Sequence, residues 1–371
     1  MAALCVALVG LADIHLSETR TPAEAVVTVK GIMASKEDFF KDDRVQTLLR
    51  QHNLRVEVTT RGSREVALEV INSAGDEYDF AFPSGQPAAD LIKNHRRQNG
   101  MYQRTNELFS SPIVLASYRE YADALALENI AIPQQQGSGP PLYYTLNMAE
   151  FIRRGELDQT WTGLDAGVKN GNRILAHTSG VCRSNSGATY LGLVAFVKNN
   201  GNPPQTEAEI DRLAQEIQPL IAATGMPEAG LFNSYVTPEG KSQGPIVVVY
   251  EHQYLNYQID HLDRFEVLDT DRVLLYPEQE FQTDPEFISL KPGPADKLAQ
   301  LLATDEALRE RMMQLGYRVF DATDTVGSNQ LFRYLEGQAI PAPRRTDATR
   351  AFLPNLDLLE SLIRKAGRCS Q

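Results

Sequence analysis

Cysteine is scarce in this chain. Cys5, Cys182 and Cys369 are the only three in 371 residues. They stand far apart with no C-x-x-C pair, which excludes a disulfide framework and argues against structural zinc. The count leaves the redox compartment open. Positive charge is in deficit: 36 Lys+Arg against 48 Asp+Glu give a net charge of −12. A field of that sign repels nucleic-acid backbones and anionic lipid at long range. The basic clusters at residues 93–97 and at Arg344–Arg345 read as solvated surface, so no nucleic-acid partner is expected. Long apolar runs are missing too. None approaches the roughly 20 residues of a membrane span, so the chain is not itself a permease or channel. No GxGxxG, P-loop, HExxH or GxSxG pattern occurs. At roughly 100–200 residues per domain the length suggests two or three domains. With 42% hydrophobic and 23% charged residues, the composition is ordinary for a globular protein and excludes a disordered tail, a collagen or a coiled-coil rod.

What is present begins with an apolar stretch at residues 2–12, AALCVALVGLA. It matches the apolar core of an export leader, with Gly10-Leu11-Ala12 as a small-residue cleavage site, although basic residues are missing before it. The other reading is a buried first strand or helix. Leu4 is too large for the residue that precedes a lipid-modified cysteine, which argues against Cys5 as a lipoprotein anchor.

Beyond it, short apolar strands alternate with helices. Residues 25–29 read as a buried strand. Residues 36–52 read as one amphipathic helix, with Ser35 and Asp38 at capping-box spacing. Residues 54–59 alternate like a strand, 63–71 form a helix, and YDFAF at 78–82 is a strand ending at Pro83-Ser84-Gly85. A helix runs from about Pro87 to His95. This β-α-β-α-β-α order predicts a parallel sheet with helices on its faces. Further strands are expected at 108–118, 173–177, 245–250, 273–276 and 287–290. Further helices are expected at 146–155, from Ser184, after the Thr206–Glu209 capping box, and from Thr304 to a stop at Gly316. Residues 133–142 form a loop.

Three strand ends run through small polar residues into a helix: GIMASK at 31–36, PSGQP at 83–87 and TSGVCRSNSG at 178–187. Ligands of open parallel sheets bind beyond the carboxyl ends of the strands. There the helix N-termini offer unpaired N–H donors and partial positive charge. Any one of these could be a mere helix cap; three in a two-lobed α/β chain point to a site. Ser184, Asn185 and Ser186 supply two hydroxyls and an amide in succession, with Gly187 allowing close approach. A fourth feature is YEHQ at 250–253, where strand alternation would put Tyr250 and His252 on one face and Glu251 and Gln253 on the other. Glu251 there reads either as a ligand contact or as a hinge hydrogen bond. Cys182 with His177 is a weak candidate nucleophile pair, because Cys is commonly a small buried hydrophobe. His252 and His261 have poor metal-ligand spacing, and neither a metal nor a cofactor is expected.

From about Val26 to Arg318 the chain resembles the bacterial extracellular solute-binding proteins of the two-lobed type II class, in the molybdate-binding-like and von Willebrand A-associated branch. The likeness lies in the order and spacing of YDFAFPSGQPA, SSPIVLASYREYADAL, RSNSGATYLGL, PIVVVYEHQYL, RVLLYPEQEF and KLAQLLATDEALRERMMQLGYR. The resemblance implies two α/β lobes, each a mostly parallel sheet flanked by helices, joined by two crossovers with a ligand cleft between them. Its implied division is a leader at 1–24, lobe one at 25–115 with 265–330, lobe two at 116–264, and a C-terminal extension at 331–371. Residues 112–120 would form the outgoing crossover. The extension's helix packs on a lobe or docks a partner, packing being the plainer reading. Carried over residue by residue, the contacts would be Ser35, Ser84 and Gly85 from lobe one and Ser184, Asn185 and Ser186 from lobe two, with Tyr250 and Glu251 near the return crossover. Glu251 would oppose a divalent oxyanion unless Arg183 or Lys36 compensates it, so a metal oxyanion is not assumed. The implied role is capture of a small polar or anionic solute, outside the cytoplasm, for an ABC-type permease. The alternatives are a ligand-sensing or assembly module with an envelope partner, and an enzyme using Glu251 with Cys182 or His177. A monomer is expected.

Overall fold

The computed structural model describes residues 25–72, 77–135, 139–164, 166–224, 230–281, 283–320, 328–343 and 351–369. The leader at 1–24 and Arg344–Arg345 lie outside the described residues.

The chain opens with β1 (Val27–Met33), α1 (Glu37–Lys41), α2 (Asp43–Gln51), β2 (Leu54–Thr60), α3 (Ser63–Asn72), β3 (Phe80–Phe82), α4 (Gln86–Gln98), β4 (Arg104–Glu107) and β5 (Phe109–Ser110). The single helix expected over 36–52 is broken. Asp42 takes an extended conformation and accepts a hydrogen bond from the Val45 N–H, capping a second helix. An Asp that can satisfy an orphan N–H competes with helix continuation at that point. Ser35 does not cap α1, whose N-cap is Lys36 with no side-chain hydrogen bond.

The next stretch is β6 (Ile113–Tyr118), α5 (Arg119–Leu127), β7 (Ala131–Pro133), β8 (Tyr143–Leu146), α6 (Met148–Glu156), α7 (Asn185–Lys198), α8 (Glu207–Ala222), α9 (Leu231–Tyr235), α10 (Gly240–Gln243), β9 (Ile246–Tyr250) and α11 (Glu251–Phe265). The strand expected over 173–177 is reduced to isolated bridges at Arg173 and His177. The strand expected over 108–118 is split at Ser111-Pro112, where proline removes a ladder donor. The chain then runs through β10 (Arg272–Pro277), β11 (Glu286–Ser289), α12 (Pro294–Thr304), α13 (Glu306–Gln314), β12 (Arg318–Val319), α14 (Ser328–Gly337) and α15 (Leu356–Gly367). Asp305 caps α13, and Gly316, at φ +83°, ends it in the left-handed region that favours glycine.

Two five-stranded sheets organise these elements. The first has the order β2-β1-β3-β11-β4 and the second β7-β8-β10-β6-β9. β1 pairs parallel with both β2 and β3, while β11 runs antiparallel to its neighbours β3 and β4. In the second sheet β8 and β10 are parallel and the remaining pairs antiparallel. Each sheet carries helices and its own core. Phe39, Phe40, Phe80, Phe82, Phe109 and Phe287 fill one side of the first sheet, Phe80 stacking on Phe287 at 4.5 Å. Ile32, Val66, Ala88 and Ile92 fill the other. The buried strands β6, β9 and β10 and the nearly all-apolar α7 build the second core, which includes Trp161.

Sheet membership shifts the boundaries drawn from sequence. β6 lies wholly in the second sheet, so the chain leaves the first sheet after β4 and passes through β5 before Ile113. β10, expected in lobe one, is the central strand of the second sheet, and the chain rejoins the first sheet with β11. β12 pairs with β5 in a small ribbon. The C-terminal segment then crosses once more. Leu331, Leu335, Ile340, Leu358, Leu359, Leu362 and Ile363 belong to the second core. α15 packs on α7 and α8, its Ser361 and Lys365 bonding Glu207 at 2.8 and 2.7 Å. Packing is therefore the outcome for the extension.

The structure also corrects the reading of cysteine: Cys182 and Cys369 form a disulfide across a sequence separation of 187. Neither residue's sequence neighbours predict that pairing, which depends on α15 returning to the start of α7.

Candidate functional site

The carboxyl ends of β1, β2 and β3 share one edge of the first sheet because those strands are parallel. Opposite them stand the carboxyl end of β9 and the amino end of α7. Between the two lies a cleft of about 420 Å³. Its first-lobe wall includes Ser35, Asp38, Thr60, Gly62, Ser63 and Ser84; its second-lobe wall includes Ser179, Ser184, Asn185, Ser186, Asn233 and Tyr250.

Hydroxyls and amides dominate, and they are pre-arranged by one another. Ser35 Oγ lies 2.9 Å from Ser84 Oγ. The Ser84 N–H donates to Ser63 Oγ at 2.9 Å. Ser184 caps α7 by accepting from the Gly187 N–H at 2.9 Å, and its Oγ is 3.1 Å from Ser186 Oγ. Asn185 Nδ2 donates to Tyr250 Oη at 3.1 Å and sits 3.5 Å from the Ser84 carbonyl across the cleft. Gly85 does not line the cleft but lets this contact form. A Cβ on it would stand 2.5–2.9 Å from the Asn185 amide group.

Helix starts converge here. α3 and α7 begin in the cleft wall, and α4 and α11 begin directly after Gly85 and Tyr250. The dipoles of these helix starts favour negative or strongly hydrogen-bonding groups in the space between them. α7 projects from a buried core, so its first turn is rigidly held.

Behind the hydroxyls sits Lys36, 1% exposed. Its Nζ is 3.6 Å from the Tyr250 ring centroid and 3.4 Å from both Ser35 Oγ and the Ser84 carbonyl. Burial pushes its amine well below the ordinary lysine range. Burial likewise pushes the Tyr250 phenol up to about 12, against hydrogen bonds from Asn185, Ser84 and Ser35. At the rim, Asp38 is accessible to solvent, yet loss of hydration against the wall and repulsion from Glu37 raise its carboxyl. For Glu37 burial acts upward, but hydrogen bonds from Lys41 and Thr60 outweigh it and hold the carboxyl low.

Six of the residues named from sequence therefore meet in one cleft: Ser35, Ser84, Ser184, Asn185, Ser186 and Tyr250. Glu251 does not. It is the first residue of α11 rather than a strand residue, it is 0% exposed, and it points away from the cleft. Arg318 Nε and Nη2 donate to its two oxygens at 2.6 Å each, and Tyr276 Oη donates at 2.7 Å. This is an ion pair joining α11 to β12. His252 and His261 likewise share α11, and His252 is spent on Ser111 Oγ at 2.8 Å and on stacking against Tyr317. Arg183 pairs with Glu65 at 2.6 Å. Thr60-Arg61-Gly62-Ser63, missed in the sequence, is a fourth strand end of the same small polar kind. Asn233 carries no such signal, because it stands within the short helix α9, which follows no strand end. Among the described residues no helix is long and apolar enough to cross a membrane.

No family model and no curated protein matches the sequence. Solved structures do match in fold. A putative spermidine/putrescine ABC transporter protein from Listeria monocytogenes aligns with a TM-score of 0.57 at 10% identity, covering 92% of this chain and 98% of that one. The substrate-binding protein of an ABC transporter from Agrobacterium tumefaciens gives 0.54 at 13% identity, covering 94% and 95%. The apo ferric ion-binding protein A of Pasteurella haemolytica gives 0.51 at 10%, covering 92% and 96%. The chain shares the fold of these three proteins, two lobes each with a sheet flanked by helices, over more than nine-tenths of its length.

Proposed function

We propose that this chain is an extracytoplasmic solute-binding protein. It captures a small polar or anionic solute between its lobes and presents it to an ABC-type membrane permease. One observation carries the reading: a cleft lined from both lobes by hydroxyls, an amide and helix N-termini, at the strand ends of a two-lobed α/β fold. In the proposed division, lobe one is residues 25–110 with 286–319, and lobe two is residues 113–277 with the C-terminal segment. Ser35, Ser84, Ser184, Asn185, Ser186 and Tyr250 are the proposed ligand contacts. Solute binding draws on both walls, so it favours the closed arrangement of the lobes. The Cys182–Cys369 disulfide fits an oxidising compartment.

Enzymatic use of the same residues is not supported. Cys182 is oxidised, His177 Nδ1 bonds the Thr224 carbonyl at 2.7 Å, and Glu251 is saturated by Arg318 and Tyr276.

The test is a thermal-shift screen of oxyanions, amino acids, polyamines and sugars, followed by calorimetry with the hit. Removing the Ser184 and Ser186 hydroxyls together takes away hydrogen bonds worth about 0.5–1.5 kcal/mol each. Affinity is expected to fall by about 5- to 150-fold, while loss of the Ser184 cap on α7 lowers stability in plain buffer by only about 0.5–2 kcal/mol. No shift with any class, or an unchanged affinity in the double variant, would sink the assignment.

A further inference from the structure

We infer that Arg64, Glu360 and the Cys182 carbonyl form a latch that holds the two lobes together without any ligand, so that the C-terminal helix α15 is a working part of the clamp. The inference rests on the two-lobed reading above and concerns residues outside the solute space.

Arg64 stands in the first turn of α3, on the first lobe. Its Nη1 and Nη2 bind the two oxygens of Glu360 on α15 as a bidentate pair. Its Nε donates to the Cys182 carbonyl at 3.1 Å, and its backbone N–H donates to the Arg183 carbonyl at 3.2 Å. The neighbouring Glu65 bonds Arg183 at 2.6 Å. Two successive residues of one lobe thus reach two successive residues and a distant helix of the other. The Arg64 and Glu360 side chains are only 17% and 24% exposed, so water screens the pair weakly. A guanidinium fork that meets a carboxylate and a carbonyl together is also orientation-specific.

Arg64 is not among the residues that line the cleft. Its partners are all protein groups, so the latch acts whether or not the cleft is filled. The disulfide gives it a fixed anchor. Cys182 supplies one acceptor, and its sulfur is bonded to Cys369, just beyond the end of the helix that supplies the other. The same anchored loop leads directly into Ser184–Ser186. Arg64 is therefore a positioning residue: it closes the lobes and presents the α7 turn to the cleft.

The experiment is small-angle X-ray scattering of the ligand-free full chain. Wild type is expected to scatter as the closed form. Arg64→Ala and Glu360→Gln are expected to shift the open–closed ratio by about 5- to 150-fold toward open and to raise the radius of gyration. The charge-reversed pair Arg64→Glu with Glu360→Arg should recover part of the compaction. Lys365→Ala loosens α15 only within its own lobe and should leave the scattering unchanged. Scattering of Arg64→Ala identical to wild type would overturn the latch. So would opening by Lys365→Ala as large as that of Arg64→Ala, or no recovery in the reversed pair. If Arg64→Ala does not fold, Arg64→Lys, which keeps charge without the fork, is read the same way. A ligand screen that returns nothing would count against the solute-binding reading and leave this result standing.

Discussion

The disulfide offers the sharpest quantitative prediction, because it joins residues 187 apart in a chain whose sequence argued against such bonds. In the chain-entropy account, cross-linking costs the unfolded ensemble about 2.1 + 1.5R ln n cal/mol/K. For that separation the cost is about 18 cal/mol/K, or about 5 kcal/mol at 25 °C. Residual structure in the unfolded chain reduces it, so a loss of about 2–5 kcal/mol is expected for Cys182→Ser with Cys369→Ser. The effect should fall on the second lobe, where Trp161, the only tryptophan, is fully buried. Urea unfolding followed by tryptophan fluorescence therefore reports the relevant unit. With a slope of about 2–3 kcal/mol/M, the midpoint should drop by about 1–2 M. Reductant should lower the wild-type midpoint to the same value and leave the double variant unmoved. A thiol titration supplies the independent check: the full chain, with Cys5 retained beside the bonded pair, should expose one titratable thiol in denaturant before reduction, not three. Three thiols in protein recovered under oxidising conditions, or a midpoint indifferent to both substitution and reductant, would refute the reasoning.

Other perturbations test the assignments residue by residue. Glu251→Ala should destabilise the fold by about 3 kcal/mol, the low end for breaking a buried pair, because it leaves the buried Arg318 with only Glu280 as counter-charge; a clear loss in denaturant stability with wild-type solute affinity in the folded fraction is the expected pattern, and the reverse pattern would return Glu251 to the site. Gly85→Ala should cost about 1–3 kcal/mol by forcing the Asn185 amide off Tyr250, read as a lowered melting temperature together with weakened binding; unchanged values in both would contradict the tight interlobe approach. Stability should also depend on pH through His252, whose imidazole is pushed well below its ordinary value by burial and by the Lys36 charge. The unfolded chain takes up a proton at this residue below about pH 6.5 while the folded chain resists it, so the stability it contributes is complete above that pH. It is lost as pH falls, at up to about 1.4 kcal/mol per unit. His252→Asn should flatten this slope in urea titrations between pH 7 and 5.

The features legible in the sequence were those encoded locally. The small polar strand ends around Ser35, Ser84 and Ser184 announced themselves by residue type next to an apolar strand, and they meet in the cleft because the carboxyl ends of β1 and β3 share one sheet edge facing α7. Thr206 and Glu209 cap α8 reciprocally as their spacing required. PIVVVY could be read as a strand from its β-branched run alone. Where the local signal was ambiguous, a competing interaction decided the outcome. Asp42 broke the first helix because its side chain could cap a second one. YEHQ left the strand pattern because Tyr250 starts a helix, with Gln253 bonding back to its N–H at 3.0 Å.

What stayed hidden depends on pairs far apart in the chain, and Glu251 shows why. A carboxylate at a strand end looks like a ligand contact until Arg318 is brought to it by the return of the chain through β12. Nothing in residues 245–255 foretells that partner. The same holds for Cys182, which reads as a small hydrophobe until α15 delivers Cys369, and for Arg64, whose carboxylate partner lies 296 residues away. In each case the missing half comes from the last sixty residues. That segment completes the second core, neutralises the buried Glu251 carboxylate through Arg318, and fixes the loop that opens α7. The local code built the walls of the cleft; the C-terminal return determines how firmly they face one another.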